Sequence, residues 1–123
     1  MRVVLRSKIH GAWVTDANPD DVESILIDED LMDKIDLKNF DTVLVCNVTT
    51  GNRFESKVIA GERGSGVCSI QGAAARLSSK GDCLIIMSFE VTEEPIDPKM
   101  ILVDEENRFV EYLGGAKHVQ QVH

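Results

Sequence analysis

Asp21-Val22-Glu23-Ser24-Ile25-Leu26-Ile27-Asp28 is the stretch from which the architecture is read. Its apolar part, Ser24–Ile27, is too short for a helix and rich in β-branched side chains, the signature of a short strand. A polar turn, Asp16-Ala17-Asn18-Pro19-Asp20, precedes it. Directly after it, Glu29–Ile35 places Leu31, Met32 and Ile35 at helical spacing, with acidic residues in the first turn. Turn, strand and short helix thus share about twenty residues, a density suited to a small β-rich domain.

The same grain continues outward. Val3–Leu5 and Ala12–Thr15 are apolar or β-branched runs. Thr42–Val48 and Arg53–Ile59 flank Thr50-Gly51-Asn52, a hairpin-like turn, and Val67–Ile70 is another short strand. Gly72–Leu77 suits one helical turn, and Cys83–Phe89 is the most apolar strand. Pro95 and Pro98 mark a loop before Ile101–Val103, and Asp104–Asn107 turns into Phe109–Leu113. Many short strands at close spacing, with two small helical pieces, predict a mainly β single domain closed as a barrel over residues 1–115. Gly114-Gly115 ends the pattern, and residues 116–123 read as a flexible tail.

At 123 residues the chain is one ordinary domain, and 43% hydrophobic with 28% charged residues describes a folded globular protein. No apolar run reaches the roughly 20 residues of a membrane helix, and the N-terminal apolar stretch is too short for a signal peptide. A cytoplasmic location is expected. A net charge of −8 excludes the broad basic surface that nucleic acid requires. Cys46, Cys68 and Cys83 form no CxxC pair and sit among aliphatic residues, so buried thiols are expected. His10, His118 and His123 lack metal-ligand spacing, and no metal is expected. The acidic runs Asp16–Asp21 and Asp28–Asp33 read as solvated surface, and Arg63 as a structural ion-pair partner.

Ser24 gains meaning beside Asn47-Val48-Thr49-Thr50-Gly51-Asn52-Arg53-Phe54, Glu62-Arg63-Gly64-Ser65-Gly66 and Gly72-Ala73-Ala74-Ala75. With these motifs, matched without gaps from about Leu5 to Phe89, the chain resembles the pyruvoyl-dependent aspartate 1-decarboxylases. That resemblance implies a double-psi β-barrel with short capping helices, assembled as a homotetramer. It also implies self-cleavage between Glu23 and Ser24, which turns Ser24 into a covalent pyruvoyl cofactor. The amine of a small amino-acid substrate, L-aspartate, would form a Schiff base on that ketone and lose carbon dioxide to give β-alanine for pantothenate synthesis.

Residue roles follow by the same resemblance. Lys8 and His10, on one face if their segment is extended, would line the active site. Arg53, placed by the preceding turn, would bind the substrate carboxylate through its planar fork of donors. Ser56 stands where the family has a threonine serving both processing and substrate binding. The backbone of Gly72, Ala73 and Ala74 would contact substrate.

Three departures surround the reaction centre. Glu23 replaces the glycine before the cleaved serine, Lys57 replaces the tyrosine that protonates the carbanion, and Gln71 replaces a processing asparagine. Lys57 can still donate a proton, and either Lys57 or His10 would handle protons in the reaction. The departures leave open a decarboxylase of a different small amino acid, a need for a maturation factor, or an unprocessed homologue acting as a binding or assembly subunit. A hydrolase using Ser24 and His10 lacks a nucleophile elbow.

Overall fold

Alternation of side chains along extended segments sets the architecture. In β4 (Thr42–Asn47) Val43 and Val45 are buried, whereas Thr42, Leu44 and Cys46 face outward. In β5 (Arg53–Gly61) Ser56 and Val58 point in and Arg53, Glu55 and Lys57 point out. In β7 (Cys83–Thr92) Leu84, Ile86 and Ser88 point in, and Ile85, Met87 and Phe89 point out. Such period-two burial is what a sheet wrapped around one core requires.

A computed structural model describes residues 1–114; the expected tail 116–123, with His118 and His123, lies outside the described residues. The remaining elements are β1 (Arg2–Trp13), β2 (Asp16–Asn18), β3 (Ser24–Asp28), α1 (Glu29–Lys34), β6 (Cys68–Gln71), the 3-10 turn Ala73–Arg76, β8 (Lys99–Val103) and β9 (Phe109–Leu113). The strands form one nine-stranded sheet in the order β2-β6-β3-β5-β4-β7-β1-β8-β9. Three neighbouring pairs are parallel, β1 with β8, β2 with β6 and β3 with β5.

Both ends of that order reach the same core. Ala17 of β2 and Phe109 of β9 pack on the cluster built from Ile9, Ile25, Ile27, Val43, Val45, Val58, Ile70, Leu84, Ile86 and Ile101. Asn107, buried at φ 59°, closes the loop region: its amide nitrogen donates to the carbonyls of Trp13 and Gly66, and its oxygen accepts from Trp13 N–H. Asparagine tolerates this left-handed backbone better than most residues. The sheet is therefore curled on itself, the mainly β barrel expected.

Four local expectations change. The two apolar runs near the N-terminus belong to one strand, β1, which continues through Gly11 at φ 84° with a register shift between His10 and Ala12; a glycine bulge lets the strand bend without ending. Asp16–Asn18 is a short strand pairing with β6, because its backbone finds partners there. Only Cys68 is buried, its thiol pushed up to about 12 by desolvation. Cys46 and Cys83 are half-buried, since both occupy outward positions of their strands.

Asp28 is the fourth correction: it is 3% exposed, not solvated. One oxygen caps α1 at Asp30 N–H and accepts from Gly64 N–H, and the other accepts from Gly66 N–H. Arg63 reaches Glu29, Asp30 and Asp33 on the same helix, at 3.5, 2.9 and 2.7 Å. Asp28→Ala would leave these donors unsatisfied in a buried setting, and about 2–4 kcal/mol of stability is expected to disappear. Urea unfolding of the variant measures it; a loss below about 1 kcal/mol would show the loop stands without its anchor.

Candidate active site

β3 begins at Ser24, which pairs with Gln71 across the antiparallel β3–β6 ladder. The Ser24 hydroxyl donates to the carbonyl of Val22 at 3.2 Å. Beside it opens a depression of about 370 Å³ lined by Asp21, Val22, Ser24, Leu26 and Gln71. Gln71 does not turn toward the serine: its amide nitrogen donates to Ser69 Oγ at 2.6 Å.

Glu23 joins three elements. Its Oε2 accepts from Ser56 Oγ of β5 at 3.0 Å, and its Oε1 accepts from Ala74 N–H of the 3-10 turn at 3.2 Å. Its backbone lies on Gly72, where an added Cβ would stand 2.6 Å from Glu23 Cα and 2.8 Å from Glu23 N. Gly72 has φ 86°, and its own N–H donates to Asn18 O at 2.9 Å. A glycine is needed here twice over, for the dihedral and for the close approach. Ala73 sits exposed at the opening of the same turn.

The parallel β3–β5 register starts at Ile25 opposite Val58, both buried. Ser24 and Lys57 each precede that pair by one residue, so their side chains share the outward face. Lys57 is exposed and its ammonium donates to Thr42 Oγ1 across the β4–β5 ladder.

Arg53, Lys8 and His10 occupy the outward face of the neighbouring strands. Arg53 pairs with Cys46, Cys46 with Ile85, and Ile85 with His10, one row across β5, β4, β7 and β1. Lys8 lies in the adjacent row, opposite Met87 and Leu44. Lys8 and His10 share a face, as their spacing predicts. Ser56 does not join this group: it points into the barrel end toward Glu23, on the other face of β5 from Arg53 and Lys57.

His10 titrates below its usual value, first because it is partly desolvated and second because the Lys8 ammonium is near. Its buried Nδ1 has no hydrogen-bond partner among the described residues. A histidine whose folded pKa is depressed binds its proton less readily folded than unfolded, so stability falls as pH drops below 6.5. Unfolding free energy measured across that range is expected to show this acid-side slope, weakened in His10→Gln. An unchanged slope would place the titration elsewhere.

Sequence reasoning missed the side-chain role of Glu23 and the hold of Thr42 on Lys57. No local signal marks either, because the partners of Glu23 are 33 and 51 residues away. Among the described residues no group of three or more His, Cys, Asp or Glu is placed to hold a metal ion. No helix among them is long and apolar enough to cross a membrane.

Residues 1–110, which include this whole constellation, match the family model described as aspartate decarboxylase. The chain belongs to the aspartate decarboxylase family. Relatives named aspartate 1-decarboxylase agree: one from Acetivibrio thermocellus is 45% identical over 119 residues, and one from Bacillus cereus is 47% identical over 120. Each alignment covers 94% of this chain and 94% of the relative. The crystal structure of the computationally designed msDPBB_sym2 protein aligns with 71% of this chain and 99% of its own at a TM-score of 0.44 and 20% identity.

Proposed function

We propose that the protein is a self-processing, pyruvoyl-dependent decarboxylase that converts L-aspartate to β-alanine and carbon dioxide for pantothenate synthesis. The observation that carries this is the Glu23–Ser24 bond set among Ser56, Gly72 and Ala74, at the mouth of an open depression. A pyruvoyl group at position 24 fits there, because Gly72 leaves room for the 23–24 backbone and no bulky side chain blocks Ser24 from the depression.

Maturation uses this chain's own atoms. Ser24 Oγ attacks the Glu23 carbonyl carbon, forming an ester as the C–N bond breaks and the amine takes the hydroxyl proton. Loss of the Ser24 α-proton then breaks Cβ–Oγ and frees Glu23 as a carboxylate terminus. Water hydrolyses the remaining enamine, releasing ammonia and leaving the ketone. Ser56 is the hydroxyl nearest this bond on β5, and Gln71 holds the register of β3.

The pyruvoyl group supplies an electron sink for loss of carbon dioxide without another cofactor. Arg53 and Lys8 bind substrate carboxylate, and the backbone of Gly72, Ala73 and Ala74 gives close approach. Lys57, on the Ser24 face, returns the proton to carbon, with His10 as the second proton-handling group. Arg53, Lys8 and His10 lie on an outward face that also carries the half-buried Leu44, Ile85 and Met87 and the exposed Phe89. A homotetramer covering that apolar face would desolvate those cations and bring them to the site. The compartment is the cytoplasm, and the partner of the reaction is a small amino acid; a maturation factor would act on the 23–24 bond.

Intact mass of the purified protein under denaturing conditions, with hydrazine labelling and an L-aspartate turnover assay, tests the reading. Two chains split after Glu23, a labelled ketone at position 24 and preferred turnover of L-aspartate are the expected result. A chain that stays whole on mild heating would sink it, and equal turnover of other amino acids would sink the substrate assignment.

A further inference from the structure

The Glu23 side chain has no counterpart where glycine precedes the cleaved serine, and here it is fully engaged. Ser56 owns a single hydroxyl proton, and that proton is directed at Glu23 Oε2 at 3.0 Å. Ala74 N–H is directed at Glu23 Oε1 at 3.2 Å. Neither donor is free to meet the scissile carbonyl or a substrate carboxylate while Glu23 holds it. The Ser24 hydroxyl, meanwhile, is turned to the Val22 carbonyl at 3.2 Å. The Ser56 hydroxyl, the Ala74 N–H and the Ser24 hydroxyl are thus each satisfied internally.

We infer that the Glu23 carboxylate is a tethered occupant of the Ser56–Ala74 carboxylate seat and restrains self-cleavage of the precursor. The inference rests on the self-processing reading. Cleavage from this state requires Ser56 to break a charge-assisted hydrogen bond before it can stabilise negative charge on the Glu23 carbonyl oxygen. Removing the carboxylate removes that step. The same carboxylate, once freed at the new chain end, competes with an acidic substrate for the two donors.

The experiment follows the fraction of cut chain over time, by intact mass, in purified full-length wild type, Glu23→Ala, Glu23→Gly and Glu23→Ala/Ser56→Ala. Glu23 is exposed, so the replacements are compatible with folding, and unfolding midpoints confirm it. Both single variants are expected to cleave about 10- to 100-fold faster than wild type, the free energy of a hydrogen bond to a charged group expressed as a rate. The double variant is expected to lose that gain, because the liberated donor is gone; a purely structural effect of Glu23 would not depend on Ser56. Single variants that cleave at the wild-type rate or slower overturn the inference, as does a double variant that stays fast. No cut chain in any of the four proteins would instead overturn the self-processing reading, and this inference with it.

Discussion

Ser24→Ala is expected to give one uncut chain of 13.6 kDa with no hydrazine-reactive ketone and no decarboxylation above background. The expected loss of activity is on the order of 10⁴-fold or more, the scale on which removing a covalent nucleophile acts in other enzymes. Only one oxygen disappears. The Ser24 hydroxyl makes a single hydrogen bond, to the Val22 carbonyl, and the residue is half-buried. Stability should therefore stay within about 1 kcal/mol of wild type. The variant thus separates chemistry from folding. Intact mass after prolonged incubation, beside L-aspartate turnover, is the measurement. Two chains from Ser24→Ala would mean that another group cuts the chain.

Gly72→Ala is expected to damage both fold and maturation. The methyl group would arrive 2.6 Å from Glu23 Cα and 2.8 Å from Glu23 N, so backbone must move. It would also be placed on a residue at φ 86°, where an L side chain is strained. Together these cost about 2–5 kcal/mol. The segment that must yield is the one carrying the 23–24 bond, so self-cleavage should slow as well. Gly51→Ala is the matched control: φ is 84°, but nothing lies within 4 Å of the added carbon. Its cost is the dihedral strain alone, about 1–2 kcal/mol. Equal urea midpoints for the two variants would show that the contact with Glu23 does not constrain the backbone.

The limits of the linear chain show at particular residues. The runs Thr42–Val48 and Arg53–Ile59, read as strands flanking the Thr50-Gly51-Asn52 turn, matched β4 and β5 to within two residues at each end, because a short turn between two such runs marks a hairpin. Composition misled at Asp28. An acidic residue among acidic neighbours reads as solvated, yet three backbone N–H groups surround it, one two residues on and two from the distant Gly64–Gly66 loop. Asp16–Asn18 read as a turn from its composition and became a strand because β6 offered its edge. Cys46 and Cys83 read as buried from their aliphatic neighbours. The pleat turned both outward.

By itself the sequence determined the class of fold, the place of Ser24 at a strand start, the Lys8–His10 pair and the family. Each depends on local periodicity or on an ordered motif. Only the tertiary structure decided that Ser56 faces Glu23 while Lys57 faces outward with Ser24, and that Arg53, Lys8 and His10 meet in neighbouring rows of the outward face across β5, β4, β7 and β1. Strands far apart in the chain must be placed in register before such directions exist. The hold on Glu23 depends on the same long-range register, since its two donors come from β5 and from the turn after β6.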